Sequence, residues 1–301
     1  MTALTTRLTA QTSSRSAARK SSTNINGRAS IVSTAILLAG ALYCLLPLAW
    51  VVMAASKNST ELFTTNTFLP SAHLWENVTA LSTYRGGIYW RWMFNTALYA
   101  GVGALASTVV SALAGYALAK YSFRGKSITF TVMLSGVLVP GVILAVPQYF
   151  LLANLHLTNT YWAVLLPQIV SPYGIYLARI YSGASVPNDI IEAGRTDGAK
   201  DLYIFRKIAV PLMMPGLVTI FLFQFVGIWN NFILPYIMLG DDHLYPITVG
   251  LSGLLNQGST VPALYTLVIA GSLLSILPLV LLFLFLQRFW KVDLGAGAVK
   301  A

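Results

Sequence analysis

Charge is what this chain most lacks. Only 9% of its 301 residues are Asp, Glu, Lys or Arg, against roughly 25% in soluble domains. Hydrophobic residues make up 56%. So few charges cannot cover a soluble core of this size, and the chain reads as an integral membrane protein. Cysteine is nearly absent. The one thiol, Cys44, cannot form an internal disulfide, and without a CxxC or a Cys/His cluster it reads as a packing residue. The three histidines, His73, His156 and His243, lie in three different loops without a partner at ligand spacing, which argues against a metal site. No GxxxxGK phosphate loop occurs, so ATP is not bound through that motif. No charge falls in the middle of a long apolar run, as a proton relay or charge-driven pump requires. No nucleophile–base pair suggests a membrane enzyme.

What the chain does have is six apolar segments long enough to cross a hydrocarbon core as helices: Ile31–Ala55, Phe94–Ala119, Ile128–Leu152, Tyr161–Ala178, Pro215–Leu239 and Pro262–Leu286. About 20 helical residues suffice for one crossing. The expectation is an all-α membrane protein with six transmembrane helices in one domain, residues 29–290. The short uncharged Ala153–Thr160 makes the third and fourth spans a tight hairpin. Residues 1–28 are rich in Ser, Thr, Ala and Arg and contain no acid, which reads as a disordered basic tail or, alternatively, a transit-type leader. Residues 291–301 form a short C-terminal tail.

Basic residues settle an expected orientation. Sixteen of the nineteen Lys and Arg fall in the N-terminal tail, in Lys120–Lys126, in Arg179–Lys207 and after Leu286, leaving only Lys57, Arg85 and Arg91 on the other side. The positive-inside rule then puts both termini in the cytoplasm. The net charge of +10 follows from those loops and tails, not from a nucleic-acid surface. Seven prolines (Pro47, Pro140, Pro147, Pro167, Pro172, Pro235 and Pro278) lie within the spans. Each removes a backbone donor and tends to kink its helix, which favours a cavity-forming transporter over an anchor.

Between the fourth and fifth spans lies a charged island, Ile190–Pro215. Pro187 precedes a helix over Ile190–Asp197, with Asn188 or Asp189 as its cap and Glu192 completing a capping box. Gly198 supplies the left-handed turn that ends it. A second amphipathic stretch, Leu202–Val210, leads to Pro211 and Pro215 at the membrane boundary. A helix of two turns is not stable alone, so it must be held and packed.

The spacing Glu192-Ala193-Gly194, three residues, Gly198, nine residues, Ile208-Ala209-Val210-Pro211 resembles the EAA loop of ABC importer permeases, with Gly194 and Val210 where that motif has Ala and Leu. The likeness extends over nearly all of residues 31–301 and is closest to the maltose-type sugar permeases. It is carried by Tyr116-Ala117-Leu118-Ala119-Lys120, Phe123-Arg124-Gly125, Val139-Pro140, Pro147-Gln148-Tyr149, Trp229-Asn230-Asn231-Phe232, Gln287-Arg288 and Gly297-Ala298-Val299-Lys300, with Asp293 where the family has glycine. The resemblance implies a type I ABC importer permease in a bacterial inner membrane. This chain would bind no cofactor. Its partners would be a second, distinct permease subunit, two copies of a cytoplasmic ATPase holding ATP and Mg, and an extracytoplasmic solute-binding protein.

On the same resemblance Ile190, Ile191, Glu192, Ala193, Gly194, Asp197, Gly198 and Ala199 would contact the ATPase, with Gly297–Lys300 reaching it as well. Gln148, Tyr149, Gln224, Trp229, Asn230 and Asn231 would line the translocation path, where neutral amides and aromatic faces suit a sugar better than charges do. Leu254, Leu255, Asn256, Gln257, Gly258 and Ser259 would probe the binding protein. Alternatives are a permease for another solute, or a self-contained secondary carrier with inverted halves.

Overall fold

A computed structural model describes residues 31–289. The terminal tails, Gly297–Lys300 among them, lie outside that range. Among the described residues the secondary structure is helical, without a strand.

The first helix, α1 (Ile31–Ala55), stands clear of the bundle, with its most apolar stretch unburied. Its end is tied down: the buried Asn77 side chain donates to Ala55 O and Lys57 O, both at 2.8 Å. The following segment carries α2 (Glu61–Thr64) and α3 (Leu74–Thr83). It is pinned by His73, whose Nδ1 meets Glu76 at 2.7 Å and whose pKa that carboxylate raises. Next comes α4 (Ile88–Lys120), 33 residues without a proline, about 50 Å at 1.5 Å per residue. It starts six residues before the expected Phe94.

The expected third span, Ile128–Leu152, is not one helix. It is α5 (Lys126–Ser135, extended to Leu138 by a 3₁₀ turn) and α6 (Gly141–Asn154), bent by 103°. Pro140 is the cause: the residue before it, Val139, is driven to extended backbone (φ −82°, ψ 117°) by the clash that proline imposes on its predecessor. Five helices are long and apolar enough to cross a membrane, and this bent pair makes a sixth span when counted as one.

The fourth span is α7 (Tyr161–Gln168) and α8 (Pro172–Ser185), interrupted between Pro167 and Pro172. Ser171 caps α8 by accepting from Gly174 N at 3.0 Å, with Pro172 opening the helix where a missing donor costs nothing. It extends seven residues beyond the expected Ala178 and so includes Arg179, whose guanidinium lies 3.7 Å from the Phe130 ring centroid. Then come α9 (Asn188–Thr196) and α10 (Asp201–Ile204). A π turn, Phe205–Ala209, joins α10 to α11 (Val210–Trp229), giving one helix from Asp201 to Trp229.

The expected fifth span therefore begins fourteen residues early and stops ten residues early. Pro211 and Pro215 sit inside the helix rather than at its entrance. A proline ring presses on the carbonyl four residues back, and the wider π turn just ahead of Pro211 gives it room. After Trp229 the chain makes α12 (Ile233–Met238) and α13 (Ile247–Gln257), and closes with α14 (Ala263–Leu286), where the sixth span was expected.

Three apolar clusters stack along α4. Ile88, Tyr89 and Trp92 pack with α3, α13 and α14; Tyr99, Ala100 and Ala104 pack with α6, α7, α11 and α12; Ala112 and Tyr116 pack with α8, α9 and the Asp201–Trp229 helix. Every fourth residue along one face of α4 is small and buried: Gly103, against α7 and α11, then Ser107, Ser111 and Gly115, the last two against α8. A Cβ on Gly115 would lie 2.5 Å from that of Ala178, and one on Gly174 would lie 2.5 Å from Ser111 Oγ. Small residues bring two backbones into contact where lipid offers no hydrophobic drive between helices.

Candidate functional site

The nine residues of α9 divide between two faces. Ile191 is buried at 4% exposure in the cluster of Ala178, Ile204, Phe205, Ala209 and Met213. Gly194 sits over Ile204 and Ile208, and Ala199 packs on the same cluster. Ile190, Glu192, Ala193, Asp197 and Gly198 are exposed. The eight residues singled out in this loop are thus five that face outward and three that hold the helix to the bundle.

The end of α9 matches expectation. Gly198 has φ +80°; its N–H donates to Arg195 O at 3.0 Å and that of Ala199 to Gly194 O at 2.9 Å, the paired bonds of a Schellman turn. Its start does not. The helix begins at Asn188 behind Pro187, which offers no side-chain cap. Asn188 Oδ1 is instead an acceptor for Lys120 Nζ at 3.0 Å, and Lys120 also bonds to Val186 O. Beyond the C-terminus Arg195 reaches Asp201 at 3.2 Å and lies over the Tyr121 ring, 5.6 Å from its centroid. Burial, then the Asp201 carboxylate, raise the Tyr121 pKa, so the ring remains a neutral phenol. Lys120, Tyr121 and Arg195, which hold α9 in place, were not singled out from the sequence as site residues; the only signal there was the Tyr116–Lys120 block itself.

At the opposite end of α4 the expected path residues separate. Trp229 is buried at 2% exposure, stacked on Phe225 with ring centroids 5.5 Å apart. Asn230 is exposed, its Nδ2 donating to Val226 O within its own helix. Asn231 Oδ1 accepts from Leu234 N, and its carbonyl accepts from the Thr248 hydroxyl at 2.8 Å. Trp229 and Asn230 share a cavity of about 390 Å³ with Phe232, Thr248, Ser252, Ser272 and Ser275. No charged side chain lines it. Gln224, Gln148 and Tyr149 lie elsewhere: Gln224 Nε2 donates to Ser171 Oγ at 2.6 Å, joining α11 to the break before α8. Tyr149 packs against the Trp229 cluster from α6, with the half-buried Gln148 beside it. The hydroxyls of α13 and α14 were not singled out, because lone serines carry no spacing signal.

Residues Leu254–Ser259 form the end of α13 and the turn after it. Leu255, Asn256, Gln257 and Ser259 are exposed, whereas Leu254 and Gly258 are buried. What fixes α13 is a set of side chains from the start of α4. Trp92 Nε1 donates to Asp242 O at 2.8 Å, Asn95 Nδ2 to His243 O and Tyr245 O, and Tyr99 to Leu244 O, while the Thr96 hydroxyl accepts from Ile247 N. Asn159 Oδ1 accepts from Gly240 N and Asp241 N, and Arg85 pairs with Asp242 at 2.6 Å. His243 does have acidic neighbours: possible ligand atoms of Asp241, Asp242 and His243 lie within 4.8 Å of one another. The Asp242 carboxylate is already engaged by Arg85, and that of Asp241 by His243 N.

Residues 107–291 match the family model of the binding-protein-dependent transport system inner membrane component. The arabinooligosaccharides transport system permease protein AraQ of Halalkalibacterium halodurans is 36% identical over 258 residues, 84% of this chain and 90% of that one. AraQ of Bacillus subtilis is 33% identical over 275 residues, 90% and 95% of the two chains. A crystal structure of a bacterial ABC transporter involved in the import of the acidic polysaccharide alginate contains a chain of the same fold, with a TM-score of 0.74 at 22% identity over 86% of this chain and 95% of that one. The resemblance seen in the motifs thus extends to the fold, and this chain belongs to the binding-protein-dependent transport system inner membrane components: it is a multi-pass membrane permease subunit of an ABC importer, not an enzyme.

Proposed function

We propose that this chain forms half of the translocation pore of an ATP-driven importer for a sugar, most simply an oligosaccharide. The observation that carries the reading is its likeness to an arabinooligosaccharide permease over most of both chains. In this reading a second, distinct permease completes the pore, two copies of a cytoplasmic ATPase bind ATP and Mg, and a solute-binding protein delivers the sugar from outside. This chain itself holds no cofactor. Both termini and α9 face the cytoplasm, an orientation supported by the bias of sixteen in nineteen basic residues.

The outward face of α9 (Ile190, Glu192, Ala193, Asp197 and Gly198) docks on the ATPase. Its inward face (Ile191, Gly194 and Ala199) passes the movement on. Because Ile191 is locked among buried residues of α8 and α11, α9 moves with them as one body when ATP closes the motor. At the other end the cavity beside Trp229 gives a passing sugar the Asn230 amide and the hydroxyls of Thr248, Ser252, Ser272 and Ser275 without a charge to desolvate. The exposed side chains of Leu255, Asn256, Gln257 and Ser259 meet the binding protein.

Reconstitution with the ATPase, the partner permease and the binding protein tests the reading. Glu192→Lys and Gly198→Pro leave membrane insertion intact but disconnect ATP hydrolysis from uptake. Undiminished coupled transport by both variants refutes the loop assignment. The lone chain in liposomes neither hydrolyses ATP nor transports; uptake by it alone favours the secondary-carrier reading. Neutral arabinooligosaccharides compete for uptake and acidic oligosaccharides do not. The reverse result would overturn the neutral-path assignment.

A further inference from the structure

The proposed docking of α9 on an ATPase leaves open how its movement reaches the far side of the membrane. Resting on that reading, we infer that Lys120 and Tyr121 are positioning residues: they clamp the two ends of α9 to the end of α4 and make α4 the stiffest link from the motor to α13.

At the start of α9, Pro187 cannot cap the helix with its side chain. What fixes the entrance is Lys120, half-buried, with its ammonium on Val186 O and Asn188 Oδ1, one acceptor on each side of Pro187. Charge-assisted bonds of this kind are roughly twice as strong as neutral ones. At the other end Arg195 is held over the Tyr121 ring while its guanidinium bonds Asp201. Tyr121 packs edge-on against Tyr116, ring centroids 5.8 Å apart, and Tyr116 packs against Phe205 of the π turn at 5.1 Å. Both ends of α9 are therefore attached to a single helical terminus.

That helix then runs without a proline to Trp92, Asn95, Thr96 and Tyr99, the side chains that hold residues 242–247 and the start of α13. The routes through the other two neighbours of α9 are softer. The α8 route meets the break between Gln168 and Pro172, and the α11 route contains Pro215 and the π turn. Proline and π turns are where helices bend. An unbroken helix transmits a rotation that a hinged one absorbs.

The test uses the complete transporter in liposomes and reads ATP hydrolysed per sugar taken up. A disulfide between Ala193→Cys and a cysteine on the ATPase is scored first. Lys120→Met keeps the length and the apolar stem but deletes the donors; it raises the ATP-to-sugar ratio by about tenfold, the scale of losing hydrogen bonds to a charged group. Lys120→Arg restores the ratio to within about threefold of wild type, because it keeps a cationic donor. Tyr121→Leu raises it by about threefold, the scale of one exposed cation–π contact. If the Ala193 cross-link does not form in otherwise wild-type protein, the docking reading fails and the clamp falls with it. If it forms and Lys120→Met retains the wild-type ratio, the clamp alone is overturned. Should Lys120→Met fail to assemble, Asn188→Ala decides: it removes one acceptor and leaves Lys120 in place. A ratio raised by about threefold supports the clamp, and an unchanged ratio rejects it.

Discussion

The two ends of α4 are built on opposite plans. At one end a nine-residue helix, α9, sits against the bundle through Ile191, Gly194 and Ala199 and offers Ile190, Glu192, Ala193 and Asp197 to whatever lies beyond. At the other, residues 240–247 have almost no helix of their own and are fastened down: Trp92, Asn95, Thr96, Tyr99, Asn159 and Arg85 all bond to them. The first plan suits a part that must keep its shape while being moved. The second suits a frame that must keep its place while something passes beside it. A loop that carries its own helix satisfies its backbone internally. A loop that does not must borrow partners from elsewhere, or leave carbonyls unpaired at a cost of about 1–3 kcal/mol each.

The sharpest way to break the comparison is therefore at the framed end. Trp92 is 2% exposed, packs against Gly250 of α13 so closely that a Cβ there would come within 2.2 Å of the indole, and donates to Asp242 O. Trp92→Ala removes the wall and the donor together, and loses about 3–5 kcal/mol, the range for deleting a large buried aromatic. Detergent-solubilised protein should melt well below wild type, with hydrogen exchange rising across residues 240–257 first. A melting point unchanged from wild type would mean that the frame is held by the remaining bonds alone.

The corresponding change at the α9 end is Ile191→Ala. It deletes buried methyl groups from the Ile204–Met213 cluster, nominally about 2–5 kcal/mol. The loss seen globally is smaller, about 1 kcal/mol or less, because a short attached helix opens by itself before the bundle does. Exchange in 188–199 accelerates while that in α4 stays slow. If α4 and α9 lose protection together, the two are one cooperative unit and the two ends of α4 do not differ in this respect.

What could be seen in the sequence follows the same division. The α9 loop was legible because its determinants are contiguous, an EAA-type spacing and a glycine where the chain turns left-handed; that Ile191, Gly194 and Ala199 face the bundle while Ile190 faces outward was not. The frame was not, because its donors sit about 150 positions from their acceptors (Trp92 to Asp242, Asn95 to Tyr245) and the acceptors are backbone carbonyls, which every residue possesses. Prolines announced that helices would be disturbed but not by how much. Pro140 turns the chain through 103°, whereas Pro147 and Pro278 stay inside helices. Val139, before Pro140, leaves the helical region, whereas Val146 and Leu277, before Pro147 and Pro278, stay in their helices, and no motif said which proline would break its span. The expected cap at Asn188 or Asp189 failed because the helix starts two residues earlier than Ile190, at Asn188 behind Pro187, and the Asn188 amide binds a lysine from another helix instead.

The smallest effect is also the most discriminating about α9. Gly194 stands where the motif usually has alanine, and a Cβ built there meets Ile204 and Ile208 at 3.4–3.5 Å, ordinary contact distance. Alanine in the interior of a helix is favoured over glycine by about 0.5–1 kcal/mol, so Gly194→Ala should stiffen α9, slow its hydrogen exchange several-fold and leave the ATP-to-sugar ratio within twofold of wild type. If α9 works by staying rigid, extra stiffness costs nothing. If transport falls while exchange slows, then α9 must bend during the cycle, and the glycine is there to let it.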